Sequence, residues 1–236
     1  MDLLIKDNWT KDNINDFYEE LLKYKHEDKI EWTKNIINTN ANVLAVLSPD
    51  IKAITKRIKK GNYISFLDIM PHKYHEATIV DAYLINTIKD INIKRKYISK
   101  LSKYIDSWST VDTLKFNIKG QEDLYLSYAK DLIKSDEPFV RRIGSRILFS
   151  FADRSDYVDE VFDILDTFNN EEHYYVNMSN AWLLCEFMIK QRDKTLNYLK
   201  SNNLNKFTIN KAISKCRDSF RVSKEDKELL LKYKVK

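Results

Sequence analysis

The stretch YYVNMSNAWLLCEFMI, residues 174–189, is the most apolar helical segment of the chain. Its apolar side chains recur at intervals of three and four residues, which predicts an α-helix that belongs to the core. Trp182 stands inside this segment, beside asparagines that a core helix does not need. A tryptophan in a core helix more often packs than binds a ligand. Trp182 is therefore a candidate functional residue only in combination with residues elsewhere in the chain.

The segments on either side repeat the helical pattern. Only 3 Gly and 3 Pro occur in 236 residues, far below ordinary usage. The chain therefore lacks the turn-forming glycines that a β-sheet protein needs, which favours a helical fold. We predict about a dozen amphipathic helices of about 10–18 residues, joined by short polar connections. The predicted boundaries include Ser48 as an N-cap, Pro71 as the stop of a short helix, and a helical piece that runs from Trp108 through Ile118 to Gly120.

The predicted architecture is an antiparallel succession of helices. No linker rich in Gly, Ser or Pro divides the chain, so we expect a single domain over residues 1–236. Such a chain folds either as a compact bundle or as an α-solenoid of HEAT-like helix pairs. No repeat can be written as a consensus, and any repeats are structural ones.

Several classes of protein are excluded by composition. No run of about 18 apolar residues exists, and the N-terminal MDLLIKDNWT is unlike a signal peptide, so we expect a cytoplasmic protein. Cys185 and Cys216 lie in helical apolar patterns without metal-ligand spacing, which predicts buried, reduced thiols rather than a metal site.

The charge of +5 is unevenly distributed along the chain. Residues 206–236 hold ten Lys or Arg against four acids, and residues 52–60 hold five basic residues and no acid. Residues 153–172 hold eight acids and one Arg. This asymmetry suits a polyanion bound on one face; the alternative is that the charges only solvate helix faces.

The sequence Trp108-Ser-Thr-Val-Asp112 places an indole and a carboxylate four residues apart. On a helix these positions share one face, where acid and ring together can hold a cation or a cationic transition state. The alternative is structural, with Ser109 as an N-cap, Asp112 as the third residue of the helix, and Trp108 as a hydrophobic staple.

Two further segments carry basic residues in a helical pattern. Residues 139–146, FVRRIGSR, put Val140 and Ile143 on one side and arginines on the other, with Gly144 permitting close approach to the backbone. Residues 210–221, NKAISKCRDSFR, align Lys211, Lys215 and Ser219 in a pattern suited to phosphates.

Taken together, these motifs resemble the DNA alkylation repair enzymes of the AlkD type, which are DNA glycosylases built of HEAT-like repeats. The resemblance covers nearly the whole chain and is clearest in the tail motifs YYVNMSNAW and NKAISKCRDSFR. The sequence departs from the family in the stretch from Ala45 to Lys52, where a glycine is often found, and Lys52 stands in place of an arginine.

The resemblance implies an all-α, right-handed α-solenoid and a monofunctional glycosylase, without lyase activity, that releases 7-methylguanine or 3-methyladenine from duplex DNA. It implies a monomer without metal or cofactor, located in the cytoplasm and at the bacterial nucleoid when bound to DNA. It maps four catalytic positions onto Trp108, Asp112, Arg142 and Trp182, which we expect to converge on the concave face. Arg141 and Arg146 are the alternatives for the arginine. Together with the basic patterns it predicts DNA contacts at Lys52, Lys56, Arg141, Arg146, Lys211, Lys215, Arg217 and Ser219.

Two alternatives to this function are open. The fold could be retained without the chemistry, in a protein that binds bent or branched DNA. The chain could also be an α-solenoid scaffold for a protein partner, because a basic concave face suits an acidic peptide as well. Release of free base separates enzyme from binder, and salt-dependent duplex binding separates both from the scaffold.

Overall fold

The computed structural model describes residues 2–69 and 72–236. Over these residues the chain forms fourteen α-helices and four short 3-10 helices, and no β-strand, which confirms the all-α class. It divides into two compact units, Met1–Lys115 and Phe116–Lys236. The single domain and the solenoid arrangement stay predictions.

The first unit holds seven α-helices and a 3-10 helix at Glu27–Lys29. The α-helices are α1 (Asn15–Leu22), α2 (Ile30–Ile37), α3 (Ser48–Ile58), α4 (Tyr63–Ile69), α5 (His75–Ile85), α6 (Ile91–Ser102) and α7 (Trp108–Thr113).

The second unit holds the other seven α-helices and 3-10 helices at Phe149–Phe151, Ser155–Tyr157 and Leu231–Tyr233. The α-helices are α8 (Glu122–Ile133), α9 (Pro138–Leu148), α10 (Val158–Asp166), α11 (Tyr174–Lys190), α12 (Arg192–Tyr198), α13 (Lys206–Asp218) and α14 (Lys224–Leu230).

Helix α5 forms the centre of the first unit. Ten of its eleven residues are buried, and it packs against α3, α6 and α7. A helix that is covered on all sides carries apolar residues around its whole circumference, as this sequence does. Its buried polar residues are therefore notable, and two of them, His75 and Glu76, act on the candidate site described below.

Helix α11 is the core helix of the second unit, as its sequence predicts. It packs against α9, α12 and α13. Two of its polar residues are paired across these contacts. Asn177 Oδ1 accepts hydrogen bonds from Thr208 Oγ1 at 2.7 Å and Asn205 Nδ2 at 2.9 Å, and Ser179 and Ser145 Oγ lie 3.0 Å apart. Asn177 thus holds α13 against α11, whereas the buried side-chain amide of Asn180 has no hydrogen-bond partner among the described residues.

Gly144 allows a close approach of the kind that the sequence predicts, and the approaching element is α8. A Cβ atom at Gly144 would lie 2.7 Å from Ile133 Cγ1 and 3.0 Å from the Ala129 carbonyl oxygen. The glycine therefore serves the packing of α8 on α9.

Several predicted boundaries are wrong. Seven of the fourteen described α-helices have fewer than ten residues, so the predicted lengths are too great. Ser48 is the first residue of α3 and not its N-cap, which is Leu47. Helix α7 ends at Thr113, and the residues from Leu114 to Ile118 are not helical. The predicted stop at Pro71 lies outside the described residues.

Two expectations from composition can be compared with the structure. Cys185 and Cys216 are both buried and free, as predicted. In the part of the chain that the structure describes, no helix combines the length and apolar character needed to cross a membrane.

Candidate functional site

Helix α7 carries Trp108 and Asp112 in its six residues, so the predicted helical relationship of the two side chains is confirmed. They lie about one turn apart, and both are half-buried. The N-cap is Ser107, whose Oγ accepts from the Ser109 N–H and donates to the Ile37 carbonyl oxygen at 2.6 Å. The alternative with Ser109 as N-cap is therefore wrong, and Asp112 lies beyond the capping turn.

The Trp108 ring is anchored on its inner side. Its Nε1–H donates to the carbonyl oxygen of Ile36 at 3.3 Å, and the ring packs against the buried cluster of Ile37, Val43 and Ala45. The outer face of α2 beside this contact is apolar and exposed, through Ile36 and through Trp32 one turn earlier. We did not single out this exposed Trp32 from the sequence as a functional residue, although the pattern places it opposite the packed side of α2.

Polar contacts from α5 fix α7 along its length. His75 Nε2 and Ser109 Oγ lie 2.9 Å apart, and the Thr78 and Thr110 Oγ1 atoms lie 2.7 Å apart. At the far end, Asn86 Nδ2 donates to the Thr113 carbonyl oxygen at 2.9 Å. Burial lowers the pKa of His75 to about 4, so its imidazole is neutral at pH 7 and the contact with Ser109 is an uncharged hydrogen bond. A short helix in water is unstable alone, so these contacts give α7 its fixed position.

Glu76 holds the segment that leads into α3. Its buried carboxylate accepts from the Leu44 N–H at 3.0 Å and the Val46 N–H at 3.3 Å. Ala45, between them, has φ of 58°, in the left-handed region that favours glycine. This backbone conformation explains why a glycine suits the position where this sequence has alanine.

The basic residues predicted on α3 fall into two groups. Lys52 and Lys56 are exposed, and Lys52 Nζ lies 6.0 Å from the centre of the Tyr83 ring. Arg57, which completes the basic run, instead pairs with Asp2 and Glu20 inside the first unit. The two lysines have the exposure that a DNA contact requires, and that contact stays a prediction.

Three arginines of α9 differ in their surroundings. Arg142 is buried and donates through Nη1 to the carbonyl oxygen of Tyr175, across to α11. Arg141 binds both oxygens of Glu171, at 2.6 and 2.9 Å, and two backbone carbonyls before α9. The guanidinium of Arg146 lies 5.0 Å from the centre of the Phe149 ring. DNA contacts by Arg141 and Arg146 stay predictions.

Trp182 projects from the core helix α11 to the surface, with 49% of its area exposed. Lys215 Nζ of α13 lies 4.4 Å from the centre of its ring, within the range of a cation–π contact. A cavity of about 400 Å³ beside this pair is also lined by Phe149, Cys185 and Phe220. A lysine of the protein itself thus lies over one face of this predicted catalytic indole.

The remaining predicted DNA contacts lie on or after α13. Lys211 and Arg217 are exposed, while Ser219 is the C-cap of the helix and its Oγ accepts from the Arg221 N–H at 3.2 Å. Lys211 Nζ lies 5.7 Å from the centre of the Phe207 ring, whose face is partly exposed. This surface combines lysines with aromatic rings, a combination found in proteins that bind nucleic acids.

The four predicted catalytic residues lie in two units. Trp108 and Asp112 belong to the first unit, and Arg142 and Trp182 belong to the second. Within the second unit, Arg142 donates to the Tyr175 carbonyl oxygen of α11, the helix that also carries Trp182. The convergence of all four residues stays a prediction.

These features define an all-helical protein that presents lysines beside exposed aromatic rings and a carboxylate beside a half-buried indole. The chain belongs to the DNA alkylation repair enzyme family, whose model matches residues 17–216. The matched range includes α7, α9, α11 and Lys215, whereas Arg217 and Ser219 lie beyond it. A comparison with curated proteins found no match. Membership of the family assigns the protein to the repair of alkylated DNA.

Proposed function

We propose that the protein is a DNA glycosylase that hydrolyses the N-glycosidic bond of cationic alkylated purines, such as 7-methylguanine and 3-methyladenine, in duplex DNA. The observation that carries the proposal is the pairing of Trp108 and Asp112 on α7, a helix fixed by α5. The family match contains both residues. The proposed reaction needs neither a metal nor a cofactor.

The chemistry follows from the charge of the substrate. An alkylated purine is already a cation, so it leaves without receiving a proton from a general acid. As the bond stretches, positive charge moves to the sugar, and a carboxylate stabilises that oxocarbenium ion. We assign this role to Asp112, which also orients the attacking water. The indole of Trp108 adds a cation–π attraction of about 0.5–2 kcal/mol and excludes bulk water.

Water, rather than an amine, displaces the base in this reaction, which makes the base-release step monofunctional. We propose that Trp182 and Arg142 join the site and that the two units form a right-handed solenoid of HEAT-like repeats, acting as a monomer. The exposed lysines of α3 and α13 would bind phosphates on either side of the lesion. Location in the cytoplasm, at the nucleoid of a bacterial cell, follows from that partner.

The direct test is incubation of the protein with a duplex that contains a single 7-methylguanine, followed by chromatography of the released bases. We expect free 7-methylguanine to appear in proportion to enzyme and time, above the spontaneous rate measured in a parallel sample without protein. An unmodified duplex of the same sequence is the matched control, because a neutral guanine is a poor leaving group and should stay attached.

The alternatives give different results in the same experiment. Salt-sensitive binding of the duplex without release of any alkylated base would support a DNA-binding protein that lacks the chemistry. Failure to bind duplex DNA at low salt would overturn both DNA proposals and favour a scaffold for an acidic protein partner.

A further inference from the structure

The exposed aromatic rings of the second unit are concentrated on two neighbouring helices. The described aromatic side chains of this unit that are most exposed to solvent are Tyr174 and Trp182 of α11, Phe207 of α13, and Phe220 two residues after α13. Phe220 has 94% of its area exposed, although its ring has no polar atom that gains from contact with water. A single exposed apolar residue is ordinary, but a group of them marks an interaction site. We call these four residues the aromatic strip.

The aromatic strip follows the contact between α11 and α13. At one end the ring centres of Tyr174 and Phe207 lie 5.7 Å apart. At the other end Lys215 Nζ lies 4.4 Å from the centre of the Trp182 ring. The two contacts are eight residues apart on each helix, so α11 and α13 run in the same direction over about 12 Å. Phe220 lines the same cavity of about 400 Å³ as Trp182, so rings stand at both ends of the strip.

Lysines of α13 lie among these rings. Lys206 and Lys211 are exposed, and Lys211 Nζ lies 5.7 Å from the centre of the Phe207 ring. Lys215 continues this series about one turn further along the helix. A cavity of about 560 Å³ beside Phe207 is lined by residues of α13, and none of the described residues that line it is acidic. The strip therefore combines ring faces with positive charge.

Acidic residues only partly offset these lysines. Four carboxylates line the other described cavities beside the strip, and arginines bind two of them, Glu171 through Arg141 and Glu186 through Arg221. The other two are exposed, with Glu172 at the Tyr174 end and Asp218 at the Trp182 end. Three lysines outnumber these two acids, so the remaining charge is positive and suits an anionic partner.

We propose that the aromatic strip binds single-stranded DNA, with bases stacked on its rings and phosphates held by the lysines of α13. The proposal rests on the proposed function only in that the protein binds DNA, and it adds a second form of DNA as a partner. A single strand is favoured over a duplex because its base faces are open to aromatic rings, whereas a duplex covers them with neighbouring bases. A partner that is recognised through phosphates alone would require the lysines but not four exposed rings.

The ring geometry suits stacking. The planes of Tyr174 and Phe207 meet at 63°, an edge-to-face arrangement that leaves ring faces open to a third ring. Trp182 keeps about half of its area exposed beside Lys215, so the indole can stack on a base while the lysine holds a neighbouring phosphate. Since every base has a π face, this binding should depend little on sequence.

The test compares two fluorescein-labelled oligomers of equal length and equal charge. One is an oligothymidylate, which forms no duplex, and the other carries tetrahydrofuran in place of every nucleoside, so that it has the phosphates without the bases. Fluorescence anisotropy of full-length protein should show at least about tenfold tighter binding of the oligothymidylate, because only this oligomer can stack on the rings. Equal affinity for the two oligomers would show that the lysines act alone and would overturn the proposal.

A double variant locates the binding on the strip. Tyr174→Leu with Phe207→Leu keeps apolar side chains but removes two ring faces, and neither residue belongs to the proposed catalytic set. It should bind the oligothymidylate at least about tenfold more weakly than wild type, while its duplex affinity stays within about threefold. An unchanged unfolding temperature would show that the variant is folded. Wild-type affinity of a folded double variant for the oligothymidylate would place the single strand elsewhere on the protein.

The matched control is Tyr104→Leu, which makes the same change at a tyrosine of the first unit. Its exposed fraction is 50%, against 52% for Tyr174. This variant should keep the wild-type affinity for the oligothymidylate. An equal loss in the control and in the double variant would contradict a specific role of the strip. Displacement of the oligothymidylate by polyglutamate at equal charge concentration would favour an acidic protein partner and also count against the proposal.

The result is independent of the proposed glycosylase, because an oligothymidylate contains no purine to release. Base-dependent binding of the oligothymidylate without release of 7-methylguanine from a duplex would support this inference and contradict the proposed function. Release of 7-methylguanine by a protein that does not distinguish the two oligomers would support the proposed function and overturn this inference.

Discussion

His75 Nε2 lies 2.9 Å from Ser109 Oγ, and this contact joins the first residue of α5 to the second residue of α7. Burial lowers the pKa of His75 to about 4, whereas an imidazole in the unfolded chain has a pKa of about 6.5. Between these two pH values His75 binds a proton in the unfolded chain but stays neutral in the folded protein. The free energy of unfolding should therefore fall as the pH drops, by about 2 kcal/mol between pH 7 and pH 5 from this residue alone.

The variant His75→Gln isolates this effect, because glutamine can bond Ser109 but does not titrate. Buried acids such as Glu76, whose pKa burial raises, change stability with the opposite sign, and they contribute equally to wild type and variant. Urea unfolding at pH 7 and pH 5 should show a smaller pH dependence for His75→Gln. Parallel pH profiles for the two proteins would mean that His75 does not control the stability of this contact.

Arg141 and Glu171 form a bidentate ion pair in the second unit, with only 5% of the Glu171 side chain exposed. Removal of the arginine would leave a buried carboxylate without its partner, a change that costs several kcal/mol in buried pairs. We expect Arg141→Gln to lower the free energy of unfolding by about 2 kcal/mol or more, with little change in duplex affinity for the folded protein.

The matched control is Lys190→Gln, which removes an exposed ion pair with Asp153 in the same unit. Its effect on unfolding should be within about 1 kcal/mol. If Arg141→Gln instead keeps its stability and weakens DNA binding, the predicted DNA contact at Arg141 is correct and the structural role is secondary.

The neighbouring arginines show how far the sequence predicts the site. Its helical pattern correctly placed arginines on α9, but Arg141 and Arg142 differ by one helical step, and only the folded positions of Glu171 and Tyr175 separate their roles. The i, i+4 relation of Trp108 and Asp112 was predictable because it is local. The N-cap of α7 was not predictable from the sequence, because both Ser107 and Ser109 are suitable N-cap residues. The contact of Lys215 with Trp182 joins separate helices, and no local pattern encodes it.

Two lysines of α13, the exposed Lys211 and the half-buried Lys215, should determine the salt dependence of duplex binding. Lys211→Gln combined with Lys215→Gln removes two positive charges, each of which contributes about −0.9 to the slope of log K against log salt. We therefore expect the slope to become shallower by about 1.8, as measured by fluorescence anisotropy over a range of salt concentrations.

The control pair is Lys190→Gln with Lys194→Gln, two lysines that already pair with Asp153 and Asp159 in the acidic part of the chain. This variant should keep the wild-type slope, because its charges are compensated within the protein. The DNA surface lies elsewhere if both double variants retain the wild-type slope.

Asp112→Asn tests the proposed catalysis most directly. Asparagine keeps the size of the side chain and removes the negative charge that we assign to stabilisation of the oxocarbenium ion. Loss of even about 1.4 kcal/mol of transition-state stabilisation slows the reaction tenfold, and a preorganised group in a desolvated site contributes about 3 kcal/mol. Single-turnover release of 7-methylguanine should therefore fall at least about tenfold, while duplex affinity stays near that of wild type or rises slightly.

The nearby Asp106→Asn provides the matched control, because it makes the same chemical change outside the proposed site. Asp106 accepts hydrogen bonds from Thr39 Oγ1 at 2.6 Å and the Asn40 N–H at 2.8 Å, in the turn that precedes α7. Its loss of charge should lower the unfolding temperature and leave base release within about threefold of wild type. Because Ser107 caps α7, Asp112→Asn leaves the helix cap intact. If Asp112→Asn releases base at the wild-type rate, Asp112 does not carry the chemistry and the proposed mechanism is wrong.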